Sequence, residues 1–148
     1  MNVKEYDNYV KAVTPTTNIF INVFKAFVVG GGICTLGQIL GNIYSYYGAN
    51  KEDEAIYVSI TLVGLSVLFT AFNLYSKLAN IAGAGTLVPI TGFANSVAAP
   101  TIEFKKEGQV FGIGCKVFSI AGPVILYGIV SSWIVGLIYW VLKAFELM

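Results

Sequence analysis

Charged residues fall in short islands along this chain, and between them lie uncharged runs at 26–50, 55–76, 78–102 and 117–142. A helix needs about 20 predominantly apolar residues to cross a bilayer, so every run is long enough by count. Their textures differ. Residues 55–76, AIYVSITLVGLSVLFTAFNLYS, carry one glycine and no proline, with Tyr57 and Tyr75 near the ends, where interfacial aromatics belong. Residues 26–47 predict a second span, closed by Tyr44, Tyr46 and Tyr47. Residues 123–142 predict a third, with Trp133, Tyr139 and Trp140 toward its end and Lys143 just beyond.

The remaining run, LANIAGAGTLVPITGFANSVAAPTI at 78–102, is not written like a spanning helix. Its 25 residues hold three glycines, two prolines and two asparagines. Lipid cannot hydrogen-bond irregular backbone, so a broken segment at membrane depth must be covered by protein or line a water-filled cavity. Gly83 and Gly85 permit a sharp turn. Thr86 is placed to cap, and Pro89 suits the first turn of a new helix, whose free N–H groups carry a partial positive charge. Asn80, Thr86, Thr91, Asn95 and Ser96 add neutral hydrogen-bonding groups. Together these predict pore or gate elements of a solute path. The competing reading is a short helix pair packed for stability.

The flanking segments add detail. Residues 1–25 read as cytoplasmic or interfacial. Val3, Tyr6, Val10 and Val13 recur at helical spacing with charges between them, which fits a helix lying on the membrane surface; a frayed polar tail fits too. Thr14-Pro15 should end it. The loop at 48–54 is short and acidic. Residues 108–121 predict an amphipathic or tilted helix, followed by a kink at Pro123. Lys116 lies in that apolar stretch, either as a functional charge or as a side chain snorkelling to the interface. Within 26–47, Gly37 and Gly41 form a GxxxG for helix packing. Gln38 and Asn42 lie one turn apart there and need protein or water.

Lysine counts suggest sidedness. If 78–102 dips in and returns, six lysines share the cytoplasmic side against Lys51 and Lys143 opposite; a full crossing gives five against three. The first balance favours an all-α membrane protein with three transmembrane helices, a broken re-entrant segment and an outside C-terminus.

Composition supports the membrane reading. The chain is 56% hydrophobic and 11% charged, more apolar surface than a 148-residue soluble domain could hide. All nine basic residues are lysine and there is no histidine, which removes imidazole chemistry and histidine metal ligation. No cleavable signal peptide is expected, since the first 25 residues are polar and mixed in charge. Cys34 and Cys115 read as small buried hydrophobes rather than a disulfide or metal knuckle. GAGTLV and GIGCKV both fail the dinucleotide pattern, and no phosphate loop, zinc signature or nucleophile elbow occurs. Catalysis is not expected: Glu103 and Glu107 flank Lys105 and Lys106 in EFKKEG, a pattern that suits a solvated surface turn. No cofactor is implied.

The run GTLVPITGFANSVAAPTIEFKKEGQVFGIGCKVFSIAGPVILYG, with KAVTP upstream and KAFVVGGGICTLGQ at 25–38, closely resembles the SpoVA-type small membrane proteins of endospore-forming bacteria. The resemblance covers residues 9–142. It implies a location in the forespore or spore inner membrane. It also implies a multi-protein complex moving dipicolinic acid, with calcium, into the spore and out on germination. One family member is described as channel-like and tension-responsive. The partners so implied are the bilayer, further copies or paralogous SpoVA membrane subunits, a soluble thiolase-like AD subunit, and dipicolinate as solute, with no nucleic acid. Lys105, Lys106 and Lys116 would then attract the anion. A non-conducting anchor or assembly subunit of the same complex is the alternative.

Overall fold

The computed structural model describes residues 2–13 and 18–145, with Lys11 described by its backbone alone. The Thr14-Pro15 stop lies outside the described residues. The helices run in the order α1 (Val3–Val13), α2 (Ile19–Tyr46), α3 (Lys51–Ala71), α4 (Leu74–Ala82), α5 (Ala84–Leu87), α6 (Ile90–Glu103) and α7 (Ala121–Ala144). A 3₁₀ turn, Phe104–Glu107, and a π turn, Gln109–Gly114, separate α6 from α7. No strand occurs among the described residues. Three helices, α2, α3 and α7, are long and apolar enough to cross a membrane, which makes this an all-α membrane protein.

Local chemistry sets the boundaries. Asn18 opens α2 by accepting the Phe20 N–H at 3.1 Å, and Asn50 opens α3 by accepting the Asp53 N–H at 2.8 Å. Both follow the preference for short polar caps. Glu52, Asp53 and Glu54 fill the first turn of α3, against the positive end of its dipole. α3 stops at Ala71, because Asn73 takes a left-handed backbone with φ 56°, a conformation asparagine tolerates. The uncharged run 55–76 therefore holds the end of one helix and the start of another. Tyr75 is not an interfacial aromatic of α3; it belongs to α4 and is buried.

α2 and α3 form an antiparallel hairpin. A side chain added at Gly37 would lie 3.5 Å from Leu62 Cδ1, and one at Gly41 would meet the Glu54 carboxylate. Glu54 accepts a bond from Ser45 Oγ at 2.7 Å, and the hydroxyls of Tyr44 and Thr61 lie 2.7 Å apart. Gln38 and Asn42 satisfy each other, Nε2 donating to Oδ1 at 3.0 Å.

The broken segment packs along this hairpin. Asn80 and Ala84 share a groove with Ile19 and Asn22 of α2; Gly85 then meets Ala26 and Gly30, and Val88 and Pro89 share a groove with Gly31 and Cys34. α6 continues along α3, where Val97, Ala98 and Thr101 line one groove with Val63 and Val67.

Beyond α6 the structure departs from a single helix over 108–121. Gly108 has φ 95° and interrupts the chain, the π turn follows, and α7 begins only at Ala121. Pro123 sits in the first turn of α7, where its missing N–H costs no bond, rather than at a kink. Cys34 and Cys115 are both exposed, not buried. A membrane protein presents apolar residues outward, so the burial habit of soluble proteins does not carry over.

Candidate functional site

The break in the helix is built from five residues. Gly83 has φ 51°, which a residue with a side chain rarely adopts. The Thr86 hydroxyl donates to the Gly83 carbonyl at 3.0 Å and closes the turn. Gly85 lies so close to the backbone of Ala26 that a β-carbon there would collide with the Ala26 carbonyl oxygen. Pro89 directly precedes α6, extended at ψ 161°, and Gly92 packs against the carbonyls of Thr86 and Leu87.

Around this break runs a buried seam of polar contacts. Tyr75, 4% exposed, donates its hydroxyl proton to the Thr86 carbonyl at 2.7 Å. Its oxygen also lies 3.1 Å from Thr91 Oγ1, whose own proton can complete that pair. Ser66 of α3, 2% exposed, donates to the Thr91 carbonyl at 2.6 Å. Thr70 Oγ1 lies 2.7 Å from the Ser66 carbonyl and 2.8 Å from the Asn95 side-chain amide. One hydroxyl proton cannot serve both. Thr70 therefore donates to one of two acceptors at a time, the Ser66 carbonyl or Asn95 Oδ1. Among the described residues no buried side-chain nitrogen or oxygen lacks a partner.

The sequence-predicted residues thus divide. Thr86, Thr91 and Asn95 come together, joined by Ser66, Thr70 and Tyr75, which sequence reasoning missed. Ser96 is buried but donates locally to the Phe93 carbonyl at 2.7 Å. Asn80 is exposed and faces a separate groove of about 440 Å³ beside Asn22 and Gly83. Gly37 and Gly41 lie in the α2–α3 seam, away from the break. Lys105 and Lys106 project from the 3₁₀ turn, exposed; the Lys116 ammonium sits 5.3 Å from the centre of the Phe104 ring, a cation–π contact with that turn. The missed residues did leave a signal: two hydroxyls one helical turn apart, Ser66 and Thr70, followed by a tyrosine five residues later.

In chemical terms, the seam supplies neutral donors and acceptors around a helix discontinuity, with no carboxylate in it. It can hold or release polar contacts; it has no group placed to act as a nucleophile's base. Among the described residues no cluster of histidine, cysteine, aspartate or glutamate could hold a metal ion.

Comparison with known proteins agrees with this membrane architecture. The family model of the SpoVAC/SpoVAEB sporulation membrane protein matches residues 22–138. Stage V sporulation protein AC of Bacillus subtilis (strain 168) is 42% identical over 139 residues, 93% of each chain. No solved structure matches. A match this long, spanning both the hairpin and the break, shows that the chain belongs to the SpoVAC/SpoVAEB family of sporulation membrane proteins.

Proposed function

We propose that this chain is a subunit of a spore inner-membrane channel complex that moves dipicolinic acid, with calcium, into the developing spore and out on germination, and that membrane tension opens it. The observation that carries the reading is the closed polar seam. A helix broken at Gly83 is held to α3 and α4 by hydrogen bonds rather than by a large apolar core. Thr86, Thr91 and Asn95 are here the closed-state contacts of a path, not groups already facing solute.

Magnitudes favour a reversible gate. Inter-helix hydrogen bonds in membranes average about 0.6 kcal/mol, so the few contacts of this seam hold it by only about 2–3 kcal/mol. Spreading the bilayer separates the small-residue faces at Gly30 and Gly85, and the freed hydroxyls and amide line water. Dipicolinate carries two carboxylates; neutral donors and the exposed Lys105, Lys106 and Lys116 contact it weakly, as conduction requires.

The test is Thr91→Val with Asn95→Leu in sporulating cells. Dipicolinic acid content and its release rate on germination should both change; unchanged uptake and release would contradict the channel reading. A second reading, an anchor that docks a soluble subunit, rests on the exposed lysine pair of the 3₁₀ turn. Charge reversal at Lys105 and Lys106 that abolished recovery of the complex, with conduction by the purified protein unaltered, would support it instead.

A further inference from the structure

α7 is joined to the rest of the chain by a folded connection. Among the described residues its principal contact within the chain is with α6. Ala121, at its start, is fully buried, whereas every residue from Pro123 to Trp140 is exposed. Whatever covers α7, lipid or protein, therefore acts on the broken helix of the same chain through residues 104–120 and the first turn of α7.

That connection is not a slack linker. Gly108 turns the chain with φ 95°, and the Ile113 N–H then bonds the Gly108 carbonyl at 3.1 Å, the five-residue step of a π turn. The Val117 N–H follows onto the Ile113 carbonyl at 2.8 Å, and the Gly122 N–H onto the Phe118 carbonyl at 2.7 Å, so backbone bonds run from the π turn into α7. Two further contacts converge on Phe104, whose own N–H closes α6 on the Pro100 carbonyl. Gly112 is buried against the Phe104 carbonyl oxygen and Glu107, and a β-carbon at 112 would collide with both. The Lys116 ammonium stands 5.3 Å from the centre of the Phe104 ring.

α6 is the helix on which this connection pulls. Its first half carries Thr91 and Asn95, bonded to Ser66 and Thr70 of α3, and Phe104 stands just past its other end. A helix packed along its neighbour shifts as one piece, so a displacement at Phe104 reaches those bonds.

We propose that residues 104–120 form a rigid elbow that delivers movement of α7 to α6, with Gly112 and Lys116 as the positioning residues that hold it stiff. Delivery to the polar seam rests on the channel reading; the stiffness of the elbow does not.

The experiment uses the full chain in liposomes, with Cys34→Ala and Cys115→Ser to remove the native thiols. Spin labels at Ile102→Cys on α6 and Val135→Cys on α7 report their separation by pulsed electron resonance, in labelled chain diluted with unlabelled chain. The parent should give one narrow distance. Gly112→Ala and Lys116→Met should lose it to a broad distribution, with helix content retained by circular dichroism. Lys116→Arg keeps a cation over the ring and should keep the narrow distance. In sporulating cells the two broadened variants should release dipicolinic acid more slowly on germination, and Lys116→Arg at the parent rate. Gly112→Ala changes no charge, so its effect is separate from any attraction of the anion by Lys116. A broad distance in the parent, or a narrow one surviving in both variants, would overturn the elbow. Broadening with release unchanged would overturn its coupling to the seam. Failure of the channel reading itself shows instead as unchanged uptake and release in Thr91→Val with Asn95→Leu, and leaves the distance result standing.

Discussion

The Tyr75 hydroxyl lies 2.7 Å from the Thr86 carbonyl, and that single bond joins the start of α4 to the far side of the glycine break. The carbonyl is buried, and the helix that would ordinarily have supplied its partner has been interrupted at Pro89. A side chain therefore replaces a backbone donor. This substitution lets the chain turn inside the membrane without leaving an acceptor exposed to hydrocarbon.

Removing that hydroxyl isolates its effect. Tyr75→Phe keeps the ring and leaves the Thr86 carbonyl without its donor, at a cost of about 1–3 kcal/mol for an unmet buried group. The purified variant should melt several degrees lower in detergent. Tyr57→Phe, on the exposed surface of α3, should not move the transition. If the seam is the gate, the Tyr75 variant also releases dipicolinic acid at lower tension than the parent.

The contact between α3 and α6 should show pairwise coupling. Thr70→Val and Asn95→Leu each break the same bond, so the double variant should be more stable than the sum of the single losses predicts. A coupling of about 0.6 kcal/mol, and not above about 1.7, is expected from other membrane helices. Chemical denaturation of the four proteins in mixed micelles measures it. Strict additivity would mean that Thr70 and Asn95 do not act on one another.

Glycines separate cleanly into tolerant and intolerant positions. A β-carbon at Gly85 would enter the Ala26 backbone, which cannot rotate away, whereas one at Gly64 would meet nothing within 4 Å. Gly85→Ala should cost about 1–3 kcal/mol through forced separation of α2 and α5. Gly64→Ala should be neutral or stabilising by a few tenths to about 1 kcal/mol, from helix propensity. Thermal melts of the two variants side by side decide it.

How much of this was legible follows from the physics of each signal. The islands of charge mark α2, α3 and α7 because the membrane-embedded part of a spanning helix excludes charge; the charges these helices do carry, Lys25, Lys51 to Glu54 and Lys143, lie toward their ends. Gly83 announces the break because few other residues take its backbone angles. The end of α3 was hidden: Phe72 and Asn73 are uncharged, and an uncharged run does not record where a helix stops inside it. The seam was half hidden for another reason. Thr86, Thr91 and Asn95 stood out in an irregular stretch, while Ser66 and Thr70 sat in a regular span, where hydroxyls can bond their own helix and draw no notice. Cys34 and Cys115 misled because burial was inferred by the rules of soluble cores. That α7 is exposed from Pro123 to Trp140 among the described residues is visible only in the structure.

The path of α6 gives the last expectation, the side on which the 3₁₀ turn lies. Lysine counting favoured a segment that dips in and returns. Packing bears on the same question independently. Successive residues from Asn80 to Pro89 meet α2 in ascending order, from Ile19 toward Cys34, so the segment advances in the direction α2 runs. Beyond the break, Val97, Ala98 and Thr101 line a groove with Val63 and Val67, so α6 carries on along α3. In a background lacking Cys34 and Cys115, Gln109→Cys is therefore expected to label from the same side as Ala49→Cys, with an impermeant maleimide on right-side-out and inverted vesicles. Labelling of Gln109→Cys from the side of Asn18→Cys would instead support the return. The two outcomes differ in crossing number, and hence in whether the C-terminal end of α7 faces the same compartment as α1.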